Sequence, residues 1–178
     1  MHYAKIIPFD LANGNGIRIA LFVSGCNARC PGCFNPELKD FMYGKEFSEK
    51  TKQRAISLLN NPYVAGLSIL GGDPLWQDEK SMADLEDLVK RVHGLHKTVW
   101  IWSGFTWELV MMIEPDDERE SARQELLKSC DVFVDGLFIE EKKDLSLKWR
   151  GSSNQRVIDV KKSLAAGQIV LYKEKNTI

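Results

Sequence analysis

Short apolar runs alternate along the chain with longer segments in which apolar residues recur every three or four positions. The short runs are rich in Val, Ile, Leu and aromatic residues, and they predict buried strands at 17–23, 66–70, 98–102 and 131–135. Helical periodicity marks the segment 81–92, and a cap at Ser48 predicts a helix over 48–59. Further helical stretches are predicted at 107–113 and 119–129. Two later runs, 156–160 and 169–172, could each be a further strand. Strands separated by helices of this length predict βαβ units and a parallel sheet.

Five or six readable strands are fewer than the eight of a closed (βα) barrel. We therefore expect an α/β fold, a shortened and incomplete (βα) barrel with mostly parallel strands. The chain of 178 residues is long enough to bury its own hydrophobic core. Neither a repeat nor a low-complexity linker divides it, so the sequence predicts a single domain over residues 1–178.

Composition narrows the classes of function. The 24 basic and 25 acidic side chains give a formal net charge of -1, which does not favour generic nucleic-acid binding. No apolar run approaches the roughly 20 residues that span a bilayer, and the first residues do not lead into a signal-peptide core. We expect a cytoplasmic protein with neither a nucleic-acid nor a membrane partner.

The loops that follow the predicted strands carry the polar and glycine-rich motifs. Three cysteines follow the first strand, and the segment 71–74, Gly-Gly-Asp-Pro, follows the second. Ser103-Gly104 follows the third strand, and Asp135-Gly136 closes the fourth. Because the carboxyl ends of parallel strands lie at one edge of a sheet, these loops should converge on one site.

The cysteine motif is Cys26, Cys30 and Cys33, a C-x-x-x-C-x-x-C spacing on one loop. Structural zinc sites usually close with four protein ligands, so three thiolates leave such a site incomplete. A 4Fe-4S cluster held by three thiolates instead keeps one iron open for a small molecule. Two alternatives remain, namely zinc closed by one of the histidines at 2, 93 and 96, or a cluster closed by Cys130. Free cysteine is commonly buried, so Cys130 is more simply a core residue.

The cysteine loop and the later Gly-Gly-Asp-Pro segment together resemble the radical S-adenosylmethionine superfamily. Four further strings are similar to the activating proteins of anaerobic (class III) ribonucleoside-triphosphate reductase. These strings lie at 13–18, 21–26, 102–106 and 149–159. The likeness extends from about Asp10 to Val160, which is nearly the whole chain.

The resemblance implies two cofactors, a 4Fe-4S cluster on the three cysteines and S-adenosylmethionine. Reductive cleavage of S-adenosylmethionine would give a 5'-deoxyadenosyl radical that generates the glycyl radical of the reductase, with no catalytic side chain beyond the cluster. The residues implied to bind S-adenosylmethionine are Gly32, Cys33 and Phe34 at the adenine, Gly71, Gly72 and Asp73 at the amine, and Ser103 and Asp135 at the ribose and carboxylate. Gly32 departs from the superfamily, which often has an aromatic residue there, and Phe34 supplies an aromatic residue after the third cysteine.

Several points stay open. Ser103-Gly104 could instead cap the next helix, and Asp135 could accept a hydrogen bond from a nearby backbone amide. Arg150, Asn154 and Arg156 could bind a carboxylate of the cofactor or of the partner, or form an exposed salt-bridging surface. The implied partners are the reductase and a reduced flavodoxin or similar electron donor. Alternative functions are another small radical S-adenosylmethionine enzyme, either a different glycyl-radical activase or a heterocycle synthase, and a non-enzymatic metal-binding module.

Overall fold

The computed structural model describes residues 1–174, which contain one sheet of seven strands. The strands are β1 (His2–Asp10), β2 (Ile17–Val23), β3 (Lys45–Glu46), β4 (Val64–Gly71), β5 (Thr98–Ser103), β6 (Val132–Asp135) and β7 (Arg156–Asp159). Their order across the sheet is β3-β1-β2-β4-β5-β6-β7. The middle strands β2, β4, β5 and β6 are parallel, whereas the pairs at both edges are antiparallel.

Five α-helices lie between and after these strands. They are α1 (Glu49–Leu59), α2 (Glu79–Gly94), α3 (Trp107–Met111), α4 (Glu118–Ser129) and α5 (Val160–Ala166). Local side chains fix where they begin, because Asp78 accepts from the Ser81 amide at 2.7 Å and Asp117 from the Glu120 amide at 2.7 Å. Among the described residues, none of the helices is both long and apolar enough to span a bilayer.

The helices pack on one face of the sheet. Ile19 and Leu21 of β2 are fully buried in a large apolar core together with Met82 and Leu85 of α2 and Leu126 of α4. Side chains alternate between the two faces along a strand. Phe22 and Leu70 therefore point to the opposite face, where they form a smaller cluster packed against Trp102. This second face is free of the main helices and carries the site described below.

The α/β class predicted from the pattern is confirmed, and the parallel middle of the sheet contains the four strands that the short apolar runs predict. The sheet is open, and mostly parallel pairing holds only for its middle. Strand β1 was not predicted, and its connection to β2 is too short for the crossover that a parallel pair requires. The predicted strand at 169–172 is reduced to one bridge, between Leu171 and Ile158.

Candidate active site

A cavity of about 430 Å³ lies at the carboxyl ends of the four parallel strands, within the usual size range of small-molecule sites. Its wall includes Phe22, Leu70 and Trp102 from the face of the sheet that lacks the main helices. The loops after the strands complete it, with Cys26, Cys30, Cys33, Phe34, Gly71, Gly72, Asp73, Ser103, Gly104, Gly136, Leu137, Phe138, Trp149, Arg150 and Gly151 among the lining residues. The predicted convergence of the post-strand loops is thus present.

All three cysteines of the motif line this cavity, and their thiols are free. The amides of Gly25 and Cys26 fix the start of their loop by donating to the carbonyl oxygens of Leu38 at 2.8 Å and Lys39 at 3.2 Å. Burial raises the pKa of the Cys26 thiol to about 12, and burial also raises the pKa of Cys30. The thiolate form therefore needs a neighbouring positive charge, which bound iron supplies.

The donor set fits a cluster better than a single metal ion. Among residues 1–174, no three His, Cys, Asp or Glu side chains are grouped closely enough to hold one ion. Of the three histidines, none lies among the lining residues, and His93 bonds Asp131, whose Oδ2 also accepts from the Val99 amide at the amino end of β5. Three thiols distributed around one cavity suit a 4Fe-4S cluster, in which each thiolate binds a different iron.

Cys130 does not contribute to this site. It is fully buried in the main apolar core, and its thiol donates to the Leu126 carbonyl at 3.3 Å. The interpretation of Cys130 as a core residue is therefore correct, and a cluster closed by its thiol does not agree with the fold.

The Gly71–Asp73 segment makes an unusually close contact with the cysteine loop. Gly71 has a φ of +115°, a conformation that favours glycine. The Asp73 amide donates to the Gly25 carbonyl at 2.8 Å. A Cβ atom on Gly72 would lie only 2.6 Å from the Gly25 oxygen and 2.7 Å from the Leu38 oxygen. The two loops can be this close only because Gly72 has no side chain.

The carboxylate of Asp73 connects the ends of β4 and β5. It accepts hydrogen bonds from the Leu75 amide at 2.9 Å, from the Ser103 hydroxyl at 2.7 Å and from the Gly104 amide at 2.8 Å. Burial raises the pKa of Asp73 to about 6, although these three donors act in the opposite direction. Asp73 lines the cavity as predicted, but its oxygens already have three donors from the protein.

Ser103 and Asp135 differ in their relation to the cavity. Ser103 lines it, and its hydroxyl donates to Asp73 and accepts from the Phe105 amide. Asp135 is 1% exposed and is not among the lining residues. Its carboxylate accepts from the Trp107 amide at 2.9 Å and from Arg156 Nε at 3.0 Å. The structure therefore does not bring Asp135 to the cavity. Its carboxylate accepts from backbone amides, which is the alternative interpretation, and it also pairs with the Arg156 guanidinium.

The end of the cysteine loop packs against the segment after β6. The ring of Phe34 lies 4.9 Å from the ring of Phe138, centroid to centroid, and both rings line the cavity. Gly32 lies outside the lining and adopts a φ of +64°, and a Cβ there would lie 2.7 Å from a carboxylate oxygen of Glu140. Of the three residues predicted at the adenine, Cys33 and Phe34 face the cavity, whereas Gly32 forms a turn.

Sequence reasoning missed Gln77, which joins the two loops of the site. Its side chain is 2% exposed, and Nε2 lies within 3.0–3.2 Å of the carbonyl oxygens of Ser24, Gly25 and Asp73. The only signal in the sequence is its position four residues after Asp73. Gln77 thereby holds the start of the cysteine loop against the Gly71–Asp73 segment.

Replacing Gln77 with leucine should loosen the cysteine loop. The substitution removes the side-chain donor to the Ser24 carbonyl, at about 1–3 kcal/mol for an unsatisfied buried group, whereas the Gly25 and Asp73 carbonyls keep the amides of Asp73 and Trp76 as donors. We expect a lower melting temperature and less iron retained per chain after anaerobic reconstitution. The matched control is Gln53→Leu, because Gln53 is exposed on α1. Equal iron retention and equal melting temperatures in the two variants would contradict this role for Gln77.

Comparison with known protein families first defines the class to which this site belongs. Residues 12–158 match the model of a family described as a 4Fe-4S single cluster domain. The matched region contains the three cysteines and the Gly71–Asp73 segment. The predicted 4Fe-4S cluster is confirmed by this match, which agrees with the three free thiols that line the cavity.

Curated relatives then identify the particular family. The chain is 37% identical over 161 residues to the anaerobic ribonucleoside-triphosphate reductase-activating protein of Escherichia coli strain K12, across 88% of this chain and 97% of the relative. The protein of the same name from Salmonella typhi has the same identity and coverage. That from Enterobacteria phage T4 is 36% identical over 160 residues, across 88% of this chain and 93% of the relative. The chain belongs to this family of activating proteins, which confirms the predicted family and the predicted enzyme class.

Proposed function

We propose that this chain generates the glycyl radical of an anaerobic ribonucleoside-triphosphate reductase by reductive cleavage of S-adenosylmethionine. The observation that carries the proposal is the presence of three free cysteine thiols in one cavity at the carboxyl ends of the parallel strands. The names of the relatives support the reductase as the target. When bound, the cluster supplies the electron that breaks a carbon–sulfur bond, and the resulting 5'-deoxyadenosyl radical takes a hydrogen atom from a glycine.

The protein contributes binding, orientation and exclusion of water. In this proposal Cys26, Cys30 and Cys33 hold the cluster, and the backbone of the Gly71–Asp73 segment receives the amine of S-adenosylmethionine. The Asp73 carboxylate positions that segment, because it accepts hydrogen bonds from Ser103 and Gly104 at the end of β5. The apolar rings of Phe34 and Phe138, which line the cavity, suit the adenosyl group and keep water from the reacting atoms.

The proposal also covers the architecture of the sheet, the cellular location and the electron donor. We take the open sheet as part of an incomplete (βα) barrel, which the four parallel strands with loops converging at their carboxyl ends support. Openness has a use here, because a large partner must bring a glycine to the cavity. We further propose that residues 1–178 act as a single domain in the cytoplasm, with a reduced flavodoxin or similar protein as the electron donor.

The decisive test combines the reconstituted chain, its reductase, S-adenosylmethionine and a reductant under anaerobic conditions. We expect 5'-deoxyadenosine in solution and the doublet of a glycyl radical on the reductase by electron paramagnetic resonance. Release of 5'-deoxyadenosine without that doublet would indicate a different substrate for the radical. A purified protein that holds zinc and no sulfide would instead end the enzymatic interpretation.

A further inference from the structure

The cavity has an uneven set of charges. The charged residues that line it are Asp73, Asp144 and Arg150. Asp73 accepts from three donors, and Oδ1 of Asp144 accepts from the amide and hydroxyl of Ser146 at 2.8 and 2.6 Å. Asp73 is thus held by its own donors and one oxygen of Asp144 is held by Ser146, while the charge of Asp144 also interacts with Arg150. Arg150 supplies the positive charge of the lining.

Arg150 has no comparable partner among the residues that the structure describes. Among residues 1–174, no carboxylate forms an ion pair with its guanidinium. Its Nε is buried from solvent and makes no hydrogen bond to another described residue. A buried donor on a charged group is unfavourable unless an acceptor reaches it. The missing acceptor must therefore come from outside this part of the chain.

The backbone on both sides of Arg150 is held firmly. The Trp149 carbonyl accepts from Nε1 of Trp102 at 2.8 Å, and the Gly151 amide donates to Oε1 of Gln155 at 2.9 Å. Trp149 adopts a φ of +64°, which is rare for a residue with a side chain. This strained conformation and the two hydrogen bonds fix the backbone from which the Arg150 side chain extends at the cavity wall.

This segment also lies beside the cysteine loop. A Cβ atom on Gly151 would lie 2.8 Å from a ring carbon of Phe34, which directly follows Cys33. Arg150 and the three thiols therefore line the same cavity, and the residue after Arg150 lies against the residue after Cys33. An anion bound by Arg150 would lie in the same cavity as the group that those thiols hold.

We propose that Arg150 is the binding residue for the carboxylate of the methionyl part of S-adenosylmethionine. The inference rests on the proposed function, which brings that molecule to the cavity. S-adenosylmethionine carries a sulfonium, an ammonium and one carboxylate, and only the carboxylate is attracted to a guanidinium. The planar fork of arginine also matches the two oxygens of a carboxylate.

Binding of two unreactive ligands to the reconstituted protein tests this assignment without turnover. S-adenosylhomocysteine carries the carboxylate, whereas 5'-methylthioadenosine has the same adenosyl group without the amino-acid part. We expect Arg150→Met to weaken binding of S-adenosylhomocysteine by about tenfold or more, as expected for a lost charge-assisted hydrogen bond. Binding of 5'-methylthioadenosine should stay within about twofold, and Arg150→Lys should restore part of the loss.

The control variant is Arg54→Met, because Arg54 is exposed on α1 and outside the cavity lining. It should bind both ligands as the parent does. Iron and sulfide per chain, measured for every variant, separate a lost contact from a lost cluster. Equal weakening of the two ligands in Arg150→Met and Arg150→Lys, or no weakening of either, would overturn the assignment. A parent that binds both ligands but yields no glycyl radical would refute the proposed function and leave this inference standing.

Discussion

Cys33→Ala should abolish 5'-deoxyadenosine formation and most iron binding while leaving the fold intact. The cavity offers three thiols, so the variant keeps two, too few for the three-thiolate site that this chain provides. Cys33 is half-buried on a loop, and its loss removes little packing from the core. We expect the iron content and the cleavage of S-adenosylmethionine to fall together, with a melting temperature of the metal-free protein close to that of the parent.

The matched control for this variant is Cys130→Ala. Cys130 is fully buried in the apolar core, so its truncation should lower the free energy of unfolding by about 1 kcal/mol. The iron content and the cleavage activity should remain those of the parent. Iron retained in Cys33→Ala at the parent's level would show that this thiol is not a ligand, and iron lost in Cys130→Ala would point to a different set of ligands.

The middle of the fold could be predicted because its signals are local. Strand β2 was predicted at its observed bounds, since an apolar run interrupted only at Arg18 is typical of a strand buried on both faces. Strand β1 contains Pro8 and exposed positions at Lys5 and Phe9, so its sequence lacks that run. It forms because β2 already offers an edge for pairing. Edge strands of this kind depend on tertiary context, which a single sequence does not provide.

The site, like the fold, has features that the sequence predicts and features that it does not. The cysteines and the Gly71–Asp73 segment could be predicted to converge because each follows a predicted parallel strand, and the family resemblance implied what the segment binds. The hydrogen-bond partners of each side chain could not be predicted from the sequence. Asp135 lies at the carboxyl end of its strand, as the other motifs do, yet Arg156 and the Trp107 amide occupy its carboxylate. Gln77 is recognised only from its burial and its contacts, which depend on the folded arrangement of distant segments. The sequence offers Arg150 together with Asn154 and Arg156, and only the structure separates Arg150 as a residue that lines the cavity.

Gly72→Ala should disrupt the site more than the addition of one methyl group suggests. The added Cβ would lie 2.6 Å from the Gly25 oxygen, 2.7 Å from the Leu38 oxygen and 2.9 Å from the Gly25 nitrogen. All three are backbone atoms, so no side chain can rotate away and the loops must separate. Overpacking of this kind destabilises a protein by about 1–3 kcal/mol. Because Gly25 precedes Cys26, we also expect the separation to move the first thiol and to lower iron retention sharply.

The comparison that isolates this effect is Gly94→Ala at the end of α2. A Cβ there meets no atom within 4 Å, so the same chemical change is sterically free. Alanine is also favoured over glycine in a helix, and this variant should be as stable as the parent or slightly more so. Thermal unfolding and iron per chain, measured for both variants, give the result. If Gly72→Ala matched Gly94→Ala in both quantities, the close approach of the two loops would not be what positions Cys26. The placement of the first thiol would then have to depend on the loop's own hydrogen bonds to Leu38 and Lys39.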